Sequence, residues 1–210
     1  MFDEQLSLSF IDAFFESISG WTTTGATVIS NIDVLSPSLL IYRQELQWLG
    51  GMGIVILALA ILPMLGVGGV QLFRAEVAGP IADKITPRVK QTAKLLWGIY
   101  VGFVLILCLI LKIEGMSWFD AICHSFTTIA TSGFSTKNAS IAAYGGAIQW
   151  TIIIFMFLAA TNFSLHYYFI AKGKFEYYKD QEFRIYFVLC IIFSILFFIN
   201  VVSTNKYQAD

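Results

Sequence analysis

The chain has 210 residues, of which 57% are hydrophobic and 13% charged, with a formal net charge of −1 and a mean hydropathy of +0.73. That balance argues against a nucleic-acid surface, which needs a basic excess to neutralise phosphates, and points to a membrane protein. Three cysteines, Cys108, Cys123 and Cys190, lie in or beside apolar segments without zinc-like spacing, so they read as buried thiols.

At the N-terminus, Met1 to Ser9 holds Asp3 and Glu4 and no basic residue, which does not fit a signal peptide; the chain is expected to start inside a structural unit. Ser9 to Trp21 reads as a short amphipathic helix running into Thr22 to Ala26, and a second helix is expected over Gln47 to Pro63, inside the uncharged run Leu46 to Phe73. A basic linker follows over 74–94. Leu95 to Leu111 is a shorter apolar run bracketed by Lys94 and Lys112, which can snorkel. Ser117 to Ala130 is again a short amphipathic helix, followed by Thr131 to Ser135 and the uncharged run Asn138 to Ala171, with one helix expected over Gly146 to Ala171. After a second basic linker over 172–184, Ile185 to Asn205 is uncharged, and Phe183 to Val202 reads as a membrane helix. A span needs about 20 apolar residues, so four spans are expected.

Two of these segments are one segment written twice. A shift of 108 positions superposes Ser9 on Ser117, Asp12 on Asp120, Ala13 on Ala121, Ser17 on Ser125, Thr23 on Thr131 and Gly25 on Gly133 without a gap. Each copy is too short to cross: fourteen helical residues rise about 21 Å against a hydrocarbon core of about 30 Å. Each must dip in and return, and a non-helical return at that depth survives only where it is buried in protein or lines a watery cavity. The repeating unit is therefore membrane helix, pore helix, filter segment, membrane helix. Backbone carbonyls in such a return can replace the hydration shell of a cation.

Charge placement orients the unit. Nine of the thirteen Lys and Arg residues sit in two linkers: Arg74, Lys84, Arg88, Lys90 and Lys94 in the first, Lys172, Lys174, Lys179 and Arg184 in the second. The positive-inside tendency makes both linkers cytoplasmic and puts Gly25 and Gly133 toward the opposite face. The first linker reads equally well as a solvated loop held by anionic lipid.

Other positions have blander readings. Gly50, Gly51 and Gly53 are expected to let helices approach closely. Asp12 and Asp120 are expected to cap the pore helices. His124, at the position of Glu16 in the first copy, reads as a hydrogen-bonded packing residue, and His166 has no acidic neighbour in sequence. An intramembrane enzyme would need a nucleophile-base pair or metal cluster on facing spans; no HExxH, GxSxG or paired intramembrane aspartates occur, so no catalytic residue and no cofactor are expected.

The blocks WTTTGATV, RQELQWLGGMGIVILALAILP, GVGGVQLFRAE, GMSWFDAICHSFTTIATSGFST and the run ending in NFSLHYYF together resemble the ion-translocating subunit of the bacterial Trk potassium uptake systems, in the Trk/Ktr/HKT superfamily. The resemblance covers nearly the whole chain. It implies an all-α integral membrane fold of repeated helix–pore loop–helix units with re-entrant filter segments, four such units standing pseudo-fourfold around one potassium pathway. Two of the four appear in this sequence: 1–73 as pore helix, filter and second helix of one repeat, 95–171 as a complete repeat, and 185–205 as the first helix of a third. The filter carries over as Thr23, Thr24, Gly25 and Ala26, and as Thr131, Ser132, Gly133 and Phe134, whose carbonyls would line the path of K⁺, the transported ion. The resemblance further implies a homodimer in the bacterial cytoplasmic (inner) membrane, in contact with lipid and with a cytoplasmic ring of nucleotide-binding regulatory subunits. The competing reading is a non-conducting membrane scaffold or degenerate subunit.

Overall fold

The computed structural model describes residues 8–61, 82–173 and 175–203, with side chains described over 8–53, 94–170, 173 and 175–203. The expectations for 1–7 and for 62–81, and the side chains of Lys84, Arg88, Lys90, Lys172 and Lys174, lie outside these residues. Every regular element among the described residues is helical. The chain divides into two units, Met1–Ala160 and Thr161–Asp210.

In the first unit, α1 (Phe10–Trp21) begins where Ser9 accepts a hydrogen bond from the Asp12 N–H and Asp12 reaches back to the Ser9 N–H, a reciprocal capping box. The helix α2 runs over Pro37–Ile61, ten residues earlier than the uncharged run suggests. Ser36 and Pro37 are the start signal: the serine hydroxyl accepts from Leu39 N–H at 3.4 Å, and proline suits the first helical position, where its missing N–H costs nothing. The segment between α1 and α2 closes over a small apolar core of Ile29, Ile32, Leu35, Leu39 and Leu40, with Leu8 and Phe119 against it.

The long helix α3 occupies Ala82–Ile113, so the second half of the expected linker continues the span. Lys112 at its end donates to the Met116 carbonyl at 3.3 Å. A turn at Gly115, φ 106°, leads into α4 (Trp118–Ile129), capped by Ser117 on the Asp120 N–H. A 3₁₀ turn over Ser140–Ala143 precedes α5 (Gly146–Ala159). The helix α4 is the hub: it packs on α2, α3 and α5, while α1 packs on α2 and α2 on α3. Trp48 of α2 stacks on Phe126 of α4 at 4.9 Å and on Tyr100 of α3 at 6.5 Å.

The second unit holds α6 (Phe163–Lys172) and α7 (Gln181–Ser203). The single helix expected over Gly146 to Ala171 is thus two helices. Asn162 makes the break: its side chain accepts from the Ser164 N–H at 3.0 Å, and such local bonding favours a new N-cap over a continued helix. Gly173 closes α6 in the left-handed conformation. His166 is buried and bonds the Tyr177 hydroxyl at 2.8 Å; burial pushes the Tyr177 phenol up. By length and composition Lys94–Ile113 and Gln181–Ser203 can each cross a membrane, and Gly146–Ala159 with Phe163–Ile170 is a third candidate if the pair counts as one span.

Candidate functional site

The two pore helices end in the same turn, with three backbone hydrogen bonds in common and a fourth, Gly25 N–H to Ser19 at 3.4 Å, in the first copy. After α1, Thr22 N–H donates to Ile18, Thr23 N–H to Gly20 and Thr24 N–H to Ser19; after α4, Ala130 N–H donates to Phe126, Thr131 N–H to Thr128 and Ser132 N–H to Thr127. The internal side-chain bonds repeat too: Ser17 Oγ donates to the Ala13 carbonyl and Ser125 Oγ to that of Ala121. The expected capping role of Asp12 and Asp120 is present in both copies, and Asp120 also accepts from Thr136 Oγ1 at 2.6 Å.

The strain in each turn falls on threonine. Thr23 has φ 56° and Thr131 has φ 51°, a left-handed conformation that is an outlier for a β-branched residue. Strain of this kind persists only where the surroundings enforce it, and it clusters at functional sites. No sequence signal reveals it, since threonine is a poor choice for positive φ. Among the two aligned glycines only Gly25 is left-handed, φ 74°, where glycine carries no Cβ penalty. Gly133 lies outside that region, so of the two aligned positions only Gly25 requires glycine for its backbone conformation.

Of the expected site residues, Thr24, Ala26, Thr131 and Gly133 are exposed, Thr23, Gly25 and Ser132 half-buried, and Phe134 buried. The two loops meet at their glycines: a Cβ on Gly25 would stand 2.5 Å from the Gly133 nitrogen and 2.8 Å from its Cα. Among the described residues no N–H or O–H donates to the carbonyls of Thr23, Thr24, Gly25, Thr131, Ser132 or Gly133. The Ala26 carbonyl is different, since Ser19 Oγ donates to it at 2.6 Å. Asn138 ties the segment after the second loop to the one after the first. Its side-chain oxygen accepts from Ile32 N–H at 2.6 Å, and its amide nitrogen donates to Asn31 at 2.7 Å.

Behind the loops stand buried polar residues that the apolar-run reading passed over. Arg43 Nε and Nη2 donate to Glu16 Oε1 at 2.9 and 2.6 Å, and both side chains are 1% exposed. Thr27 Oγ1 and Val28 N–H donate to the same carboxylate. The Arg43 guanidinium also lies 4.1 Å from the centre of the Phe134 ring. Gln47 accepts from Thr127 Oγ1 at 2.7 Å, and Gln44 is fully buried beside it in sequence. A sequence signal did exist: an ionisable residue within a membrane helix implies a buried partner of opposite charge, and Glu16 is the acid on the preceding pore helix. In the second copy His124 holds Glu16's place, buried, with Nε2 3.2 Å from Ser135 Oγ and Nδ1 2.9 Å from the Asp120 carbonyl.

Gly50 and Gly51 are packing residues, as expected. A Cβ on Gly50 would fall 2.1 Å from the Trp21 carbonyl oxygen, and one on Gly51 would meet Tyr100 Oη at 2.8 Å and Ala130 at 3.1 Å. Each glycine abuts the end of a different pore helix. Gly53 has nothing within 4 Å. Of the cysteines, Cys123 is buried and Cys108 and Cys190 are partly buried, all as free thiols.

Two capped re-entrant helices with matching strained returns, set among apolar helices, define an all-α integral membrane protein of repeated helix–pore loop–helix units. The family described as cation transport protein, TrkH, matches residues 1–208, and the chain belongs to that family. It is 46% identical over 208 residues to the Trk system potassium uptake protein TrkH of Vibrio parahaemolyticus, covering 97% of this chain and 43% of the relative. It is 49% identical over 212 residues to TrkH of Escherichia coli K12, covering 97% and 44%. The crystal structure of the potassium transporter TrkH from Vibrio parahaemolyticus superposes with a TM-score of 0.82 at 41% identity, over 96% of this chain and 41% of that one. The chain therefore spans less than half the length of these relatives.

Proposed function

We propose that this chain supplies two filter segments of a potassium uptake pathway in the bacterial cytoplasmic membrane. Thr23, Thr24 and Gly25 from one copy and Thr131, Ser132 and Gly133 from the other present backbone carbonyls to desolvated K⁺ moving down its electrochemical gradient. The observation that carries this reading is the set of carbonyls that no donor among the described residues engages, at matching positions in two loops that meet at their glycines. A carbonyl not engaged by a protein donor has its lone pairs free for a ligand, and a cation stripped of water needs several oxygens. Ala26 takes a smaller part, with one lone pair engaged by Ser19, and Phe134 acts mainly through its buried ring.

The potassium assignment draws on the relatives, whose names are those of potassium uptake proteins. The cage needs more than two segments, so in this reading further pore loops of the full-length protein complete it, in a homodimer that engages a cytoplasmic ring of nucleotide-binding regulatory subunits. No cofactor is assigned.

The test is uptake of K⁺, Rb⁺ and Na⁺ by cells carrying full-length protein with Gly25→Ala, normalised to protein in the membrane. Gly53→Ala is the control, since its new methyl group enters open space. Uptake or ion preference should fall for Gly25→Ala and hold for Gly53→Ala. If Gly25→Ala retains both, the carbonyl filter is wrong and the scaffold reading gains.

A further inference from the structure

Arg43 lies outside both filter segments yet touches what flanks each of them. Its fork donates twice to Glu16 and once to Thr27 Oγ1, at 3.2 Å. Glu16 in turn accepts from Thr27 Oγ1 and Val28 N–H, so the residues just after Ala26 are anchored through this ion pair. The face of the same guanidinium covers Phe134, the residue just after Gly133, and that ring is 3% exposed. One side chain thus fixes the exit of both filter segments. The second copy has no such pair: a shift of 108 positions brings Glu16 to His124 and Arg43 to Thr151, and Thr151 bonds Glu114 instead, at 2.6 Å.

Building on the filter reading, we propose that Arg43 is a positioning residue for ion selection, setting through Glu16 and Phe134 the spacing between the first and second filter segments. The chemistry suits the task. A guanidinium offers a planar fork to a carboxylate and a flat face to an aromatic ring at once, which a lysine cannot do. In a dry interior the pair is stiff, because loss of either partner strands a buried charge. Selectivity drawn from carbonyl number and placement is sensitive to what holds the carbonyls.

The experiment uses the full-length protein, purified and reconstituted in liposomes, with K⁺ and Na⁺ flux measured per folded molecule. The double variant Glu16→Gln/Arg43→Gln removes both charges and strands neither. Its K⁺ over Na⁺ preference is expected to fall about tenfold, ~1.4 kcal/mol, with Arg43→Lys intermediate. Reduced thermal stability with the preference unchanged would mean a structural role only and would overturn the proposal. Should the double variant fail to fold, Phe134→Leu gives the same decision: it removes the ring beneath the guanidinium without stranding a charge, and an unchanged preference overturns the proposal. Gly25→Ala is run in parallel. If it too leaves the preference unchanged, the filter reading itself fails; if it alters the preference while the other variants do not, only the role of Arg43 fails.

Discussion

The two pore loops agree in front and differ behind. Their serine N-caps, helix lengths, three turn hydrogen bonds and strained threonines coincide position for position. Their supports do not: a buried Glu16–Arg43 pair stands behind the first, and a His124–Ser135 contact behind the second. Backbone geometry is thus shared as far as Thr23 and Thr131 and parts at the glycines, where only Gly25 is left-handed, while side-chain chemistry one layer away varies. A filter needs carbonyls at fixed places, and many packings can put them there.

The largest effect that can break this comparison lies at the glycines. At Gly25 a methyl group would meet Gly133 backbone at 2.5 Å, whereas at Gly133 it would meet nothing nearer than the Gly25 carbonyl at 3.6 Å. The left-handed conformation at Gly25 adds about 1–2 kcal/mol for any side chain. Gly25→Ala is therefore expected to cut Rb⁺ uptake at least about tenfold, the change that ~1.4 kcal/mol produces. Gly133→Ala should stay within about threefold, which corresponds to under ~0.7 kcal/mol. Equal losses at both positions would mean that the aligned glycines are equivalent after all.

Next in size is Gly50→Ala. Its Cβ would fall on the Trp21 carbonyl at 2.1 Å, and backbone at the end of α1 cannot yield without moving the loop that follows it. Overpacking of this kind costs about 1–3 kcal/mol or more. Purified Gly50→Ala protein should unfold at a clearly lower temperature than Gly53→Ala protein, and matched melting temperatures would refute close packing at this point.

A smaller loss is expected at Asn138→Ala, which removes the clasp to Asn31 and Ile32. Hydrogen bonds of this type contribute about 0.5–1.5 kcal/mol each. Hydrogen exchange over 31–35 should accelerate while exchange in α4 does not; uniform protection would rule the clasp out. The same bonds make Asn138 a poor place for a reporter cysteine. Lys137, exposed beside it, is the better test of orientation: labelling there should come only from outside and at Lys179 only from the cytoplasm.

What could be read from the sequence follows the same division. The repeat exposed the caps, the short helices and the returns, because those depend on local residue types at fixed spacing. The start of α2 was missed because an uncharged run was taken as the helix, although Ser36 and Pro37 carried the signal. The break at Asn162 was missed because a long apolar run conceals one capping residue. Arg43 is legible only once α2 is known to start at Pro37, which places it inside a membrane helix and implies an acidic partner; the hydrophobic pattern by itself carries no trace of the pairing with Glu16. The strain at Thr23 and Thr131 was invisible, since tertiary packing enforces it against residue preference.

The caps offer the finest test of how alike the two fronts are. Ser9 and Ser117 both accept from the N–H of the aspartate three residues on, at 3.2 and 3.0 Å, and each hydroxyl donates to that aspartate's Oδ2 at 2.8 Å. Replacing an N-cap serine by alanine costs about 1 kcal/mol. Ser9→Ala and Ser117→Ala should therefore lower stability by similar amounts, read as paired shifts in the thermal unfolding of purified protein. One difference could unbalance them. Asp120 is also tied to the Thr136 hydroxyl at 2.6 Å, so the start of α4 keeps a side-chain tether when the Ser117 hydroxyl is lost, whereas Asp12 keeps only the longer bond from the residue 9 backbone N–H, 3.2 Å. The Ser9→Ala shift is expected to be the larger by a few tenths of a kcal/mol, and a clearly larger shift for Ser117→Ala would show that the Thr136 tether depends on the cap rather than backing it up.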